Sequence, residues 1–145
     1  MLLISNRRAR FDYEIVSTIQ AGAVLTGPEV KSLRAKAGSL TGSYVQIVAG
    51  EAVLLGAQIS PYPQADNRDY DPKRTRKLLL KKSEIYRLQA QIKQKHFTLV
   101  PLSWQLVGKR LKLEIGVGRG RQQFEKRQHL QEREWKRTQK NLGNW

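Results

Sequence analysis

The chain has 145 residues, with 27 Lys and Arg against 12 Asp and Glu, so its formal net charge is +15. An excess of this size predicts a polyanionic partner and favours nucleic acid over an acidic membrane surface. No apolar run approaches the roughly 18 residues of a transmembrane helix. The chain has no cysteine, which excludes disulfides and thiolate ligands and is typical of a cytosolic protein. The length allows one domain with a core and one appended segment.

The first quarter of the chain predicts a strand, a bend and a helix. Residues 13–19 alternate apolar and polar side chains, as a half-buried strand does, and Ala21-Gly22 predicts a bulge that bends it. Pro28 suits the first turn of a helix because its fixed φ is already helical. The apolar residues that follow recur three and four positions apart, which predicts a helix that stops at Gly38.

The middle of the chain alternates between hairpins, one loop and a second helix. A loop is predicted where prolines and an Asp-Asn pair replace any apolar periodicity, and Ser83 predicts the N-cap of the helix. The elements in chain order are a hairpin over residues 44–48 and 52–59, the loop over 61–76, a brief strand over 77–80, the helix, and a second hairpin over 97–106 and 110–117.

The pattern changes from Gly118 onward, where cations dominate and apolar residues share no helical stripe. The cations are Arg119, Arg121, Lys126, Arg127, Arg133, Lys136, Arg137 and Lys140. Helix propensity is high over residues 122–140, but a helix that is polar all round has no core to hold it. We therefore expect this segment to be disordered alone and helical on a partner. The predicted organisation is a barrel over residues 1–117 and a basic C-terminal tail over residues 118–145.

The order of elements predicts a mainly β fold, a partly open antiparallel barrel of the OB type with peripheral helices. Such barrels commonly bind nucleic acid, although a fold alone does not establish a function. Residues for catalysis are scarce, because His96 and His129 stand without a second histidine nearby. Gly116-x-Gly118-x-Gly120 lacks the amphipathic helix of a dinucleotide-binding motif, so we interpret these glycines as a hinge to the tail. We expect no enzyme activity, no cofactor and no metal.

Cations and tyrosines cluster in the predicted barrel, which favours RNA binding because cations neutralise phosphates and aromatic rings stack on unpaired bases. Taken singly, each of these residues also suits an ordinary solvated surface. The cluster comprises Arg7, Arg8, Arg10, Lys73, Arg74, Arg76, Lys77 and Lys112, beside Tyr13, Tyr62 and Tyr70.

Several motifs together resemble the small protein B (SmpB) family of bacteria. The clearest are Asn6-Arg-Arg-Ala-Arg10, Glu29-Val-Lys-Ser-Leu-Arg34, Arg76-Lys-Leu-Leu-Leu80 and Glu132-Arg-Glu-Trp-Lys-Arg137, in family order and spacing. The resemblance implies a cytoplasmic OB-type barrel that binds the tRNA-like domain of tmRNA and catalyses nothing. It also implies delivery of that RNA, with elongation factor Tu, to ribosomes stalled on mRNA without a stop codon. There the tail would occupy the empty mRNA channel beside the decoding centre.

The resemblance also assigns residues to two surfaces. The RNA-binding set, to which the basic cluster adds Arg8 and Arg74, is Asn6, Arg7, Arg8, Arg10, Tyr13, Tyr44, Arg74, Arg76, Lys77, Leu79 and Lys112. The ribosome-directed set, to which the cations of the tail add Arg119 and Arg121, is Arg119, Arg121, Lys126, Arg127, Arg133, Trp135, Lys136 and Arg137. Glu29 and Arg34 suit an internal salt bridge equally well.

Three residues depart from the family pattern. Phe11 stands where the family usually has His, so a stacking role can transfer to it but a hydrogen-bonding role cannot. Gln20 replaces a frequent Glu, and Glu125 replaces the usual Asp.

Two other functional classes remain open at this point. A generic OB-fold RNA-binding or ribosomal protein would share the charge and the barrel, whereas a small RNA-acting enzyme would need a titratable cluster that the sequence lacks.

Overall fold

The computed structural model describes residues 1–121, and antiparallel strands dominate them. The strands are β1 (Leu2–Ser5), β2 (Tyr13–Ala23), β3 (Gly38–Ser39), β4 (Tyr44–Val48), β5 (Glu51–Leu55), β6 (Gln58–Ile59), β7 (Arg76–Leu79), β8 (Thr98–Val107) and β9 (Arg110–Gly120). The helices are α1 (Ala9–Asp12), α2 (Gly27–Arg34) and α3 (Lys82–Lys95).

The large sheet curls into a partly open barrel. Its strand order is β1-β8-β4-β5-β7-β2-β9, and β8 also pairs with β9, which closes the strands from β8 to β9 into a ring and leaves β1 at the edge. The β2–β9 and β8–β9 ladders are long, but β2 meets β7 only at Gly22 and Ala23, and β4 meets β8 at Val45. These two short ladders are the open seams. The predicted mainly β, partly open antiparallel barrel with peripheral helices is confirmed.

Alternating residues of the strands fill the barrel. In β9, Leu113, Ile115 and Val117 are buried, as the sequence predicted, while Lys112 and Glu114 lie on the outer side and are half-buried. The peripheral helices each add one fully or almost fully buried leucine, Leu33 from α2 and Leu88 from α3. The polar residues on the outer side of the strands are therefore the ones accessible to a ligand.

Helix α2 begins as predicted but ends early. Thr26 caps it, since its hydroxyl accepts from the Glu29 N–H and the Glu29 carboxylate accepts from the Thr26 N–H. The last helical residue is Arg34, because Lys36 adopts a left-handed conformation with φ of 60° and its N–H bonds to the Leu33 carbonyl. Lys36, rather than Gly38, therefore ends the helix, and Gly38 belongs to β3.

The predicted bulge at Ala21-Gly22 is wrong. Strand β2 continues through both residues, and its register shifts instead between Ile15 and Ser17. Val16 is the extra residue there and is 54% exposed. The shift lies beside the point where β9 comes closest, since a Cβ added to Gly118 would sit 1.9 Å from the Glu14 carbonyl oxygen. The bulge thus lies next to a close backbone contact, which the periodicity of the sequence does not reveal.

The hinge interpretation of the glycines is also wrong for Gly116 and Gly118. Both are buried within β9, which runs to Gly120, three residues beyond the predicted barrel boundary at residue 117. A Cβ on Gly116 would meet Ile15 and Leu102 within 3.2 Å. These glycines therefore allow β2 and its small apolar cluster to pack closely against the outside of β9.

Two smaller differences concern the ends of elements. Helix α3 has Lys81, not Ser83, at its N-cap, and the Glu84 carboxylate accepts from the Lys81 N–H at 2.9 Å. The strand predicted over residues 52–59 is divided at Gly56, which has φ of +74°. The second hairpin turns at Gly108-Lys109 as predicted.

Candidate nucleic-acid interface

The segment around α1 carries three exposed arginines, and one small residue anchors it. Ala9 is buried against Val100 and Leu102, on the outside of the barrel. Asn6 precedes the helix, and its side-chain amide donates to the Pro101 carbonyl at 2.9 Å. Its amide group is therefore used in holding the segment against β8. The arginines around this anchor, Arg7, Arg8 and Arg10, are exposed.

Beside α1 lies a cleft with two tyrosines. Tyr13 and Tyr44 line a cavity of about 390 Å³ together with Asn6 and Arg8. Tyr44 is 51% exposed, so its ring is accessible for stacking. Arg8 lies 5.1 Å from the centroid of the Phe11 ring, and its guanidinium is 3.6 Å from the Asp12 carboxylate. The ring at the Phe11 departure is thus covered by an arginine of the same helix.

A second group of predicted residues lies at the other end of the outer surface. Lys77, Leu79 and Lys112 line a cavity of about 650 Å³ whose other lining residues include Leu78, Leu80, Ile85, Lys81 and Gln20. Leu79 is 52% exposed, so its side chain is accessible to a ligand. The lining combines apolar side chains with three lysines and two carboxylates, Glu51 and Glu84. Such a site suits the combination of base rings and phosphates.

The polar outer side of β8 and β9 joins the two groups. Arg7 and Arg10 line a cavity of about 310 Å³ with Ser103, Gln105 and Glu114. The Gln20 amide, which lines the larger cavity, lies 3.4 Å from the Gln105 side-chain oxygen. We call this continuous surface the basic face, defined by Arg7, Arg10, Gln20, Lys77, Leu79, Gln105, Lys112 and Glu114.

Charge on the basic face is largely available to a ligand. Within residues 1–121, the ion pairs involve neither Arg7 nor Arg10 nor Lys112. Lys77 lies 3.3 Å from Glu51, and both side chains are more than half exposed. Exposed pairs of this kind are weak, so a phosphate can replace Glu51. The sequence did not single out Gln105, Glu114 or Lys81, because only the strand register places them beside the predicted cations.

Arg76 corrects the predicted RNA-binding set. Its side chain is fully buried, and Nε and Nη2 donate to Glu29 Oε2 at 2.9 and 2.7 Å. Its Nη1 donates to the Ala57 carbonyl at 2.7 Å. Arg74, whose side chain is 32% exposed, pairs with the same carboxylate. Arg76 therefore cannot reach RNA, and Arg74 is largely committed to holding Glu29.

The supporting role considered for Glu29 involves other partners than Arg34. The Arg34 guanidinium instead donates to the Lys109 carbonyl at 3.4 Å. Burial alone would raise the pKa of Glu29. The hydrogen bonds from Arg74, the Thr26 N–H and Arg76, with the charge of Arg76, outweigh that effect and lower the pKa from 4.5 to about 2. Burial and the adjacent Glu29 charge raise the pKa of Tyr70, whose hydroxyl oxygen lies 3.2 Å from Glu29 Oε2.

The beginning of the basic tail is fixed to the barrel. Arg119 lies within β9, and its guanidinium is 2.9 Å from the Glu14 carboxylate. The Arg121 N–H donates to the Asp12 carbonyl at 2.8 Å. The predictions for the rest of the tail lie outside the described residues: its helix, the Glu125 departure, and the contacts of Lys126, Arg127, Arg133, Trp135, Lys136 and Arg137.

Between residues 1 and 121, no group of three or more His, Asp or Glu side chains is arranged to hold a metal ion. No helix in the same range has the length and apolar character to cross a membrane.

Comparison with known proteins gives consistent results. A family model described as SmpB protein matches residues 3–144. An SsrA-binding protein of Roseiflexus castenholzii is 46% identical over 138 residues, which is 94% of this chain and 87% of the relative. An SsrA-binding protein of Paraburkholderia xenovorans is 43% identical over 143 residues, 98% of this chain and 97% of the relative.

A solved structure is similar in fold as well as in sequence. It is described as "tmRNA-SmpB: a journey to the center of the bacterial ribosome". The TM-score is 0.69 at 43% identity, with 85% of this chain and 87% of that chain covered.

Proposed function

This chain belongs to the SmpB protein family, and on that premise we propose that it binds tmRNA, also called SsrA, and delivers it to ribosomes. The single observation that carries the proposal is the family match over residues 3–144. The relatives are SsrA-binding proteins, and the similar structure is of tmRNA-SmpB and the bacterial ribosome. The activity is RNA binding, and the basic face is the surface through which we propose that it occurs.

We infer that the part of tmRNA bound is its tRNA-like domain. Arg7, Arg10 and Lys112 line cavities of the basic face and take part in none of the ion pairs within residues 1–121. Leu79 and the tyrosine cleft add ring-sized apolar surfaces at two places. A folded RNA with both a phosphate backbone and unpaired loop bases fits this combination better than a regular duplex does.

The basic tail would then act on the ribosome. Its cations suit a channel lined by rRNA phosphates, and Trp135 could stack on a base or pack against protein. Peptide tagging by trans-translation would follow, with elongation factor Tu joining through the shared tmRNA. We propose a cytoplasmic location, because a protein that acts on ribosomes would work there. In this proposal the basic face binds tmRNA and the tail binds the ribosome, so the two need not contact each other.

Two experiments test the proposal with the full chain. Pulldown from a bacterial lysate followed by RNA sequencing should recover one dominant RNA species, tmRNA. A broad mixture led by rRNA would support a generic RNA-binding or ribosomal protein instead. In a reconstituted translation system, Ala substitutions at Arg133, Trp135, Lys136 and Arg137 together should leave binding to the tRNA-like RNA nearly intact and abolish tagging of stalled ribosomes. Full tagging by that variant would refute the assigned role of the tail.

A further inference from the structure

Glu114 is the carboxylate of the basic face, and two neutral side chains hold it. Gln105 Nε2 donates to Glu114 Oε2 at 2.5 Å, and the Ser103 hydroxyl lies 3.5 Å from the same oxygen. Gln105 also donates to Ser103 at 3.0 Å, which fixes the amide between them. Within residues 1–121, Glu114 takes part in none of the ion pairs, although Arg7 and Arg10 line the same cavity.

This arrangement orients the carboxylate without cancelling its charge. Both hydrogen bonds go to Oε2, and Oε1 accepts none from a described residue. A carboxylate has about four lone-pair positions, so Glu114 keeps acceptor capacity inside a cavity of about 310 Å³. Gln20 on the neighbouring strand extends the network, since it is the cross-strand partner of Glu114 and its amide lies 3.4 Å from Gln105. A ligand group with donors is the chemical complement of this site.

We propose that the cavity receives an unpaired guanine of the bound RNA and that Glu114 reads its Watson–Crick edge. Guanine is the base that presents two adjacent donors on that edge, N1–H and the N2 amino group. Adenine and cytosine place an acceptor nitrogen beside their amino group, and uracil places carbonyls on both sides of its N–H, so a carboxylate repels part of each. Proteins commonly recognise splayed-out RNA bases on this edge.

The rest of the cavity fits the remainder of a nucleotide. Arg7 and Arg10 lie where they can bind the flanking phosphates or stack on the base. Leu2 and Leu102 supply apolar surface for the face of the ring. The proposal rests on the proposed function, because it requires that the basic face binds a structured RNA.

Whether Glu114→Gln weakens or tightens RNA binding separates guanine recognition from the role of an ordinary surface carboxylate. If Glu114 is merely a surface acid, Glu114→Gln removes a negative charge near phosphates and should tighten RNA binding. If Glu114 reads guanine, the same substitution should weaken binding to the tRNA-like RNA by about tenfold, the scale of a lost bidentate base contact. Asp66→Asn is the matched control, since Asp66 pairs with Arg68 in the 61–76 loop and lines none of these cavities.

An interference map identifies the base directly. The tRNA-like RNA is transcribed with inosine, which lacks the N2 amino group, at random guanosine positions. The RNA retained by the full-length protein is then sequenced. With the wild-type chain, inosine should be excluded at one or a few guanosines, and with Glu114→Gln that exclusion should vanish. The wild-type map stands on its own should the variant fail to fold, which far-UV circular dichroism checks.

Inosine tolerated at every position by the wild-type protein would overturn the inference, as would an unchanged map or tighter binding with Glu114→Gln. Wild-type protein that binds the tRNA-like RNA no better than an unrelated RNA of equal length would refute the proposed function and this inference together. Selective, tight binding with no guanosine-specific interference refutes the inference alone.

Discussion

Replacing Glu29 with Gln tests the buried network that holds the 61–76 loop and β7. The substitution keeps the shape of the side chain but removes its charge, and it turns an amide group toward donors. Arg76, which is fully buried, then loses its only counter-charge among residues 1–121, and Arg74 loses the carboxylate it shares. Thr26 also loses one half of its capping box. The fold should survive but with much less stability.

The structure gives the size of the effect in two ways. Lowering the Glu29 pKa from 4.5 to about 2 corresponds to about 3 kcal/mol of stability at neutral pH. Breaking a buried ion pair by removing one partner costs about 3–5 kcal/mol in other proteins. Because the folded-state pKa is depressed, this stability is present above the unfolded pKa and is lost as pH falls through 4.5 toward 2. The wild type and Glu29→Gln should therefore converge in acid.

Urea unfolding followed by far-UV circular dichroism measures this directly. At pH 7 the free energy of unfolding of Glu29→Gln should be lower by about 3 kcal/mol, and at pH 3.5 that difference should have shrunk by about 1 kcal/mol. Asp66→Asn, which disturbs the exposed pair with Arg68, should leave the midpoint unchanged at both pH values. A loss below about 1 kcal/mol at pH 7, or a difference that does not change with pH, would refute this account of the network.

Three further predictions concern the basic face and β9. Lys112→Ala should weaken binding to the tRNA-like RNA several-fold with an unchanged melting temperature, because Leu113 is the fully buried residue of that part of β9; a large drop in melting temperature would make Lys112 structural. The logarithm of the affinity should fall with the logarithm of the salt concentration with a slope of at least about two. Filter binding at roughly 50 to 300 mM salt measures this slope, and a shallower slope would mean that few phosphates are contacted. Gly118→Ala should lower the free energy of unfolding in urea by about 3 kcal/mol or more, because the new Cβ would lie 1.9 Å from the Glu14 backbone. Gly116→Ala should lower it clearly less, because its Cβ meets the movable Ile15 side chain at 2.9 Å. Equal losses of stability would contradict the packing described.

Local patterns predicted the barrel because each strand carries its own alternation. The buried set Leu113, Ile115 and Val117 and the turn at Gly108-Lys109 follow from a few consecutive residues. Where an element ends was less predictable. Lys36 takes the left-handed position that a glycine usually fills, and no rule of composition favours a lysine there over the nearby Gly38.

In the candidate site, too, the exposed cations were predictable from the sequence, whereas the long-range contacts were not. Exposed Arg7, Arg10 and Lys112 could be proposed from charge alone, but Arg76 has the same chemistry and is buried. Whether an arginine meets RNA or an internal carboxylate depends on where Glu29 lies, 47 residues earlier in the chain. The contact of Gln105 with Glu114 across β8 and β9 is likewise a product of register. Sequence spacing contains no direct signal for such long-range pairs.

The Glu29 network also divides the 61–76 loop into a fixed base and a self-contained tip. At the base, the Tyr70 hydroxyl donates to the Ile59 carbonyl at 2.7 Å, and Arg76 donates to the Pro72 carbonyl at 3.0 Å. At the tip, the guanidinium of Arg68 bonds to Asp66, and both side chains are more than 60% exposed. A peptide tag inserted after Asp66 would therefore disturb hydrogen bonds that stay within the loop, such as those of Arg68 with Asp66 and of Asn67 with the Tyr62 carbonyl. The position offers a handle for following the protein on the ribosome, with the barrel and the basic face left as they are.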